Sequence, residues 1–339
     1  MKLEEQLIQM IRTKGYALNT EKAYVMRYRQ FVQFIRQRYG TCTHPKELSE
    51  QDIEAFLSHL SNQKDVAPST QRSALSAIRF LYEEVMRIEL GELKFAVARK
   101  RQKLPVVLSF RETQQLLRCF TGRSRLQSEL MYGCGLRISD CVSLRIKDFD
   151  LKSQMLNISQ SKGGKSRILM LPSSLMSGLK NQMEYARRIH EHDSQPGGIR
   201  VSMPYALHKK APTWSTQWQW FWLFPASDLS RDPRTGKMLR HHEGRDVYRR
   251  KFNLAKSRSG IEKAIVPHTW RHSFATHMLL QGCDLRTLQR LMGHSSLQTT
   301  EIYLHVVDAM SSRLTSPLDL LGEFAEQEPE ENEVVSRTA

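Results

Sequence analysis

Apolar side chains recur at helical spacing through most of this chain, and that periodicity constrains the fold more than any other feature. After Thr20, read as an N-cap, Ala23, Tyr24, Tyr28, Phe31, Phe34 and Ile35 form one stripe, with Arg27, Arg29 and Arg36 off it. A second helix is predicted after Ser49 (Ile53, Phe56, Leu57, Leu60), and a third from Pro68-Ser69-Thr70 through Leu75, Ile78, Leu81, Tyr82 and Val85. These helices suit a small bundle over residues 1–93. The stretch KFAVARKRQKLP, from Lys94 to Pro105, is dense in charge and closed by proline, and residues 94–108 read as a basic linker. Arg99, Lys100, Arg101 and Lys103 in it are placed to lie along phosphates.

A second domain follows over residues 109–325. Ser109 caps a helix carrying Glu112, Leu116 and Leu117, and the next helical run ends at Gly133-Cys134-Gly135. Leu151–Gln160, Ser161-Lys162-Gly163-Gly164-Lys165 and Ser166–Leu171 read as strand, Gly-Gly turn and strand. The fold class predicted is therefore mainly α with a small antiparallel β-sheet, an α+β arrangement.

With 51 Lys and Arg against 35 Asp and Glu the formal charge is +16, a field that draws in polyanions such as nucleic acid. A composition 40% hydrophobic and 25% charged excludes a wholly disordered basic protein. No run approaches the roughly 20 apolar residues of a membrane span, and Glu4 and Glu5 sit where a secretory leader would be basic and then apolar. The five cysteines (Cys42, Cys119, Cys134, Cys141 and Cys283) are scattered and odd in number, as expected of reduced thiols in a cytoplasmic protein. The acidic tail, 326–339, is expected to be disordered.

The residues best suited to chemistry lie late in the chain. His268 and Arg271, at i and i+3 on a helix, leave one face within reach of a single anion. An arginine fork holds two phosphate oxygens, and a second guanidinium could hold the third equatorial oxygen of a five-coordinate transition state. Arg137, just past the glycine break, is the candidate. Tyr303 as a nucleophile would need a proton acceptor or nearby cations, because a phenol titrates near 10, and His268 and His294 are placed to help. Lys162, on the Gly-Gly hairpin, could protonate a leaving oxygen. Taken singly, each of these residues has an ordinary structural reading; their order and joint spacing are what point to chemistry.

That set resembles the tyrosine site-specific recombinase family, which includes phage integrases. The family's GLR arginine, hairpin lysine, HxLRH box, LGH box and following tyrosine are matched by Gly135-Leu136-Arg137, Lys162, His268-Thr269-Trp270-Arg271-His272, Met292-Gly293-His294 and Tyr303. Trp270 and Met292 stand where leucine is commoner. The resemblance covers about residues 5–325 and implies a helical core-binding domain and a catalytic domain that clamp DNA. It also implies the roles: Tyr303 attacks the phosphate to form a 3′-phosphotyrosyl link, Arg137 and Arg271 clamp nonbridging oxygens, Lys162 is the general acid, His268 assists proton transfer and His294 positions the phosphate. No metal, ATP or other cofactor is implied.

A narrower resemblance, to integron integrases, rests on a segment of about residues 195–245. It contains Pro204, Ala206, Leu207 and Lys210, then Trp218, Trp220, Phe221, Trp222 and Phe224, then Asp232-Pro233-Arg234-Thr235-Gly236 and Arg240-His241-His242. Four of the five tryptophans, starting with Trp214, fall within nine positions. The subfamily recombines cassette sites folded from a single strand, which implies that this insertion binds protruding bases. Trp220, Pro233, His241 and His242 are the expected base contacts, with Arg240 and Lys165 also at DNA. Aromatic faces stack on any base while cations hold the backbone; alternation of Trp218, Trp220 and Trp222 on a buried strand face is the competing reading. A metal held by His241, His242, His190 and His192 lacks a completing ligand. Leu318, Leu321 and Phe324 form a short helical stripe that would contact a neighbour in a homotetramer on two DNA sites, or pack on its own subunit. A recombinase acting on duplex, a relaxing topoisomerase and a non-catalytic architectural DNA-binding protein are the alternatives.

Overall fold

The computed structural model describes residues 2–40, 44–62, 66–95, 104–159, 166–195, 198–204, 207, 210–233 and 235–310. The chain divides into two compact units, Met1–Lys103 and Leu104–Ala339. The linker cations Arg99, Lys100, Arg101 and Lys103, the hairpin residues Lys162 and Lys165, and the C-terminal Leu318, Leu321 and Phe324 lie outside the described residues.

The first unit is a helical bundle of α1 (Leu3–Thr13), α2 (Leu18–Tyr39), α3 (Glu50–Asn62) and α4 (Pro68–Arg79), which runs on into a π-helical turn over Phe80–Met86. Its core joins Leu7, Ile11, Phe31, Ile35, Phe56, Leu57, Ile78 and Leu81, with Phe31 edge-on to Phe56 at 5.1 Å between centroids. Helix α2 begins at Leu18, so Thr20 lies in its first turn and is not the cap. The bond from Glu21 N–H to the Ala17 carbonyl (3.0 Å) already closes a helical turn there. Helix α1 was not among the helices read from periodicity. It is held by Leu7 and Ile11 and by a two-pronged Arg12–Glu21 ion pair, 3.1 and 2.9 Å.

In the second unit Ser109 caps α5 (Phe110–Arg118) in a reciprocal capping box with Glu112. Helix α6 (Gly122–Gly133) leads through Gly135 to α7 (Ile138–Val142). A three-stranded antiparallel sheet follows in the order β1 (Phe149–Asp150), β2 (Met155–Ile158), β3 (Arg167–Met170). Leu156 pairs with Leu169 and Ile158 with Arg167. These four face inward, whereas Met155, Ile168 and Met170 are exposed. The predicted strands are trimmed at their ends, because Gln154 takes a left-handed conformation (φ +52°) before β2, and β1 adds a third strand to the expected hairpin.

Helix α8 (Met176–Asp193) opens onto the insertion. Two 3-10 turns, Pro212–Thr216 and Trp218–Trp220, precede a two-stranded ribbon of β4 (Ser230–Arg231) and β5 (Met238–Leu239). The tryptophans therefore do not alternate on a strand. Helices α9 (Arg245–Ser259), α10 (Thr269–Leu280), α11 (Leu285–Met292) and α12 (Gln298–Met310) complete the domain. At its core the Trp270 indole N–H donates to the Tyr248 hydroxyl (3.0 Å), which is also bonded to Ser128 (2.8 Å), so two aromatic residues are buried with their polar atoms satisfied. Among the described residues no helix is long and apolar enough to cross a membrane.

Candidate active site

Four backbone features converge on one place. Gly135 (φ +61°) turns the chain so that Arg137 stands at the N-cap of α7. His268 opens α10, which carries Arg271 and His272 on its first turn. Gly293 (φ +60°) ends α11 in the left-handed conformation that glycine tolerates and delivers His294, and α12, packed on α10, presents Tyr303.

Arg271 is only 1% exposed. One Nη1 hydrogen goes to the Gly135 carbonyl (2.5 Å), while Nη2 donates to the Met292 carbonyl and lies 3.0 Å from Nε2 of His294. The guanidinium thus ties the glycine break, the end of α11 and the His294 ring together. His294 Nδ1 lies 3.0 Å from the Thr300 hydroxyl, so both its ring nitrogens are occupied. Tyr303 is buried, and its hydroxyl lies 2.9 Å from Nδ1 of His272. His268 meets His272 edge-on at 4.5 Å, and the His294 ring lies nearly parallel to Tyr303 at 6.5 Å.

Asp140 organises the cations. It accepts from the Arg137 backbone N–H (3.4 Å), pairs with the Arg137 side chain at 3.8 Å and with Arg167 of β3 at 2.9 Å. Arg167 is nearly buried, and its Nε and Nη1 have no hydrogen-bond partner. Three guanidinium groups beside one carboxylate leave a strongly positive site. Burial, then Arg137 and Arg167, pull Arg271 down to about 9. Burial, then Arg271 and Arg137, push His294 down to about 4, and burial with His268 and Arg271 does the same to His272. His268 is lowered by burial and the two arginines. The rings are therefore neutral near neutral pH. For Tyr303 burial raises the phenol while Arg271 and Arg137 act in the opposite direction.

A cleft of about 1040 Å³ is lined by Arg137, Asp140 and His294 of this site together with Trp220, Trp222 and His242 of the insertion. Trp220 is half-buried, stacks on Trp214 at 4.9 Å, and has the Lys147 ammonium 4.7 Å from its ring centre. Trp222 is buried, with the Arg145 guanidinium 3.5 Å over its ring and its indole N–H bonded to the Arg240 carbonyl (3.0 Å). Arg145 also donates to the carbonyls of Trp220 and Ser202, riveting the insertion to the start of the sheet. His242 packs edge-on to Trp222 at 5.1 Å. His241 is half-buried and its Nε2 has no partner. Pro233 is exposed in the β4–β5 loop.

Arg240 must be corrected. Its guanidinium is buried, doubly bonded to Asp193 at 2.7 Å each, and gives its remaining end to the carbonyls of Ala226 and Ser227. Four of its five N–H groups are engaged and the side chain is buried, so this arginine ties the insertion together and its charge is turned inward instead of toward DNA. Four residues now at the site were given no role by the sequence. His272 and Asp140 could have been found, since each lies one helical turn from an assigned residue (His268 and Arg137). Arg145 and Arg167 carried no local signal. Among the described residues no three His, Cys, Asp or Glu side chains come together to hold a metal.

A helical domain followed by a domain of this topology, with two arginines, histidines and a tyrosine converging, is the arrangement of enzymes that break and rejoin DNA through tyrosine. Residues 106–310 match the phage integrase family and residues 3–92 the N-terminal SAM-like domain of phage integrases. The chain belongs to that family and is a tyrosine recombinase. An integrase/recombinase of Escherichia coli is 41% identical over 322 residues, spanning 95% of this chain and 94% of that protein. The tyrosine recombinase XerD of Agrobacterium fabrum is 29% identical over 324 residues, 91% and 90% of the two chains. The Tn1549 transposon integrase in complex with a circular intermediate DNA shares the fold at a TM-score of 0.59 (15% identity, 96% and 99% coverage). So does the XerH recombinase bound to palindromic difH in a post-cleavage complex, at 0.57 (19%, 94% and 83%).

Proposed function

We propose that this recombinase is an integron integrase, which exchanges gene cassettes by recombining a folded single-stranded cassette site (attC) with a second cassette site or an integron site (attI). Tyr303 attacks the scissile phosphate, Arg137 and Arg271 hold its nonbridging oxygens, and Lys162 protonates the departing 5′-oxygen. His268 assists proton transfer. His294 acts on the phosphate chiefly by fixing Arg271, because its Nε2 accepts from that guanidinium. The bond energy is conserved in the phosphotyrosyl link, so the scheme calls on no nucleotide cofactor. It operates on cytoplasmic DNA in a homotetramer that holds two sites, with Leu318, Leu321 and Phe324 at the neighbour.

The observation that carries the narrower reading is the single cleft joining Arg137 and His294 to the half-buried Trp220. A base unstacked near the scissile phosphate would find an aromatic face backed by Trp214 and cations from Lys147 and Arg145 around it. Pro233, His241 and His242 supply further base contacts. The linker cations and Lys165 follow the backbone and make binding fall steeply with salt.

The test offers two nicked, labelled substrates, a folded strand with protruding bases and the matching duplex, and measures denaturant-resistant adducts with Tyr303→Phe as control. Adduct formed mainly on the folded strand and absent from the control is expected. An adduct favouring duplex would keep the recombinase but give it a phage-type or dimer-resolving role.

A further inference from the structure

The phenolic proton of Tyr303 needs an acceptor, and the site has already made one contact for it. Of the three histidines around Tyr303, His294 has both ring nitrogens engaged, by Arg271 and Thr300. His268 touches the His272 ring and makes no hydrogen bond to the phenol among the described residues. His272 alone places a ring nitrogen, Nδ1, 2.9 Å from the Tyr303 hydroxyl. That is the reach required of a general base, and a phenol buried in its protonated form donates while the imidazole accepts through Nδ1, with the ring proton on Nε2.

We infer that His272 is the base that takes the Tyr303 proton as the phenolic oxygen attacks phosphorus. The inference rests on the reading of Tyr303 as nucleophile. As the bond from the tyrosine oxygen to phosphorus forms, the phenolic proton passes to Nδ1. The bond from phosphorus to the 5′-oxygen breaks, and that oxygen takes a proton from the acid across the phosphate, Lys162. In the second transfer the 5′-hydroxyl of the incoming strand returns a proton to Lys162, and imidazolium returns one to the tyrosine oxygen as the phosphotyrosyl bond breaks. The surroundings support this traffic. Burial and the flanking His268 and Arg271 keep the free ring neutral, holding it at about 4, so its lone pair is available. Burial raises the phenol, while Arg271 and Arg137 act in the opposite direction and favour the negative charge that develops on its oxygen as the proton leaves and the bond to phosphorus forms.

The experiment measures single-turnover adduct formation on whichever nicked substrate the wild type cleaves, and on the same substrate with sulfur in place of the bridging 5′-oxygen. The proteins are wild type, His272→Ala, His272→Asn, Lys162→Ala and Tyr303→Phe. Both His272 variants are expected to bind DNA within about twofold of wild type and to form adduct about 100-fold more slowly, the range of general-base loss. Their defect should persist on the sulfur substrate, which restores Lys162→Ala. Should the alanine variant fail to fold, His272→Asn, which keeps a hydrogen-bonding amide and no basic nitrogen, carries the test alone. An asparagine variant at or above wild-type rate would overturn the inference, reducing His272 to a hook that holds the tyrosine. So would a defect that vanishes with sulfur, which would place the residue on the leaving-group side. Absence of adduct from the wild type, or its survival in Tyr303→Phe, would instead overturn the nucleophile itself.

Discussion

Nη2 of Arg271 and Nε2 of His294 lie 3.0 Å apart, so the histidine lends its lone pair to the arginine. This bond exists only while the ring is neutral. Burial first, and then the charges of Arg271, Arg137 and Arg167, hold His294 down at about 4, while burial, His268 and Arg271 do the same to His272. The unfolded chain takes up these protons near 6.5 and the folded one resists them. Stability is therefore fully present above about 6.5 and is lost as pH falls toward about 4. Thermal unfolding followed across that window should show a falling midpoint. The His272→Asn, His294→Asn double variant should flatten the curve; an unchanged slope would place the acid sensitivity elsewhere.

Gly135 binds two demands into one position. Its φ of +61° is costly for other residues, and an added Cβ would stand 2.5 Å from the Phe274 ring. Its carbonyl also receives Arg271. Gly135→Ala should cost about 2–4 kcal/mol by combined strain and overpacking and should lower adduct formation beyond what the lost stability explains. Adding Phe274→Leu relieves the contact but not the backbone angle, so it should recover stability in part. Full recovery in denaturant titrations would mean that the angle carries no cost.

How much of this was legible without coordinates follows from where the information sits. The helices, the Ser109 cap and the hairpin were readable because periodicity and capping are local, and the order of Arg137, Arg271, His294 and Tyr303 was readable as a pattern. Thr20 was misread because Thr20 and Asn19 carry capping side chains, whereas the helix starts earlier, at Leu18 behind Ala17, which has no capping side chain to announce it. Arg240 looked like a DNA contact in a basic, histidine-rich run. Its partner Asp193 lies 47 residues earlier, at the end of α8, and nothing local announces that pair. The same holds for Arg145 under Trp222 and for Arg167 on Asp140.

The Asp193–Arg240 pair can be tested directly. Removing one member of a buried, hydrogen-bonded ion pair leaves the other charge uncompensated, at a cost of about 3–5 kcal/mol. Arg240→Ala should lower stability by that order. Among the molecules that remain folded, the dependence of duplex binding on salt should be unchanged, since no phosphate contact is lost. A shallower salt slope in the variant would return Arg240 to the DNA.

Trp220 and Trp222 stand two positions apart and should behave oppositely. Trp222 is buried beneath Arg145 and packed with Phe221 and Val201, so Trp222→Ala creates a core cavity and should cost about 3–5 kcal/mol of stability whatever DNA is present. Trp220 is half-buried and lines the cleft, stacked on Trp214 with Lys147 and Arg145 over its ring, so a base would have to stack at its exposed part or displace one of these neighbours. Trp220→Ala should unfold near the wild-type temperature. It should weaken binding to hairpins with protruding bases by about 1–3 kcal/mol, the value of one stacked base, and leave plain duplex alone. Equal losses on the two substrates would make Trp220 a packing residue of the insertion and remove the aromatic cleft from the recognition of folded strands.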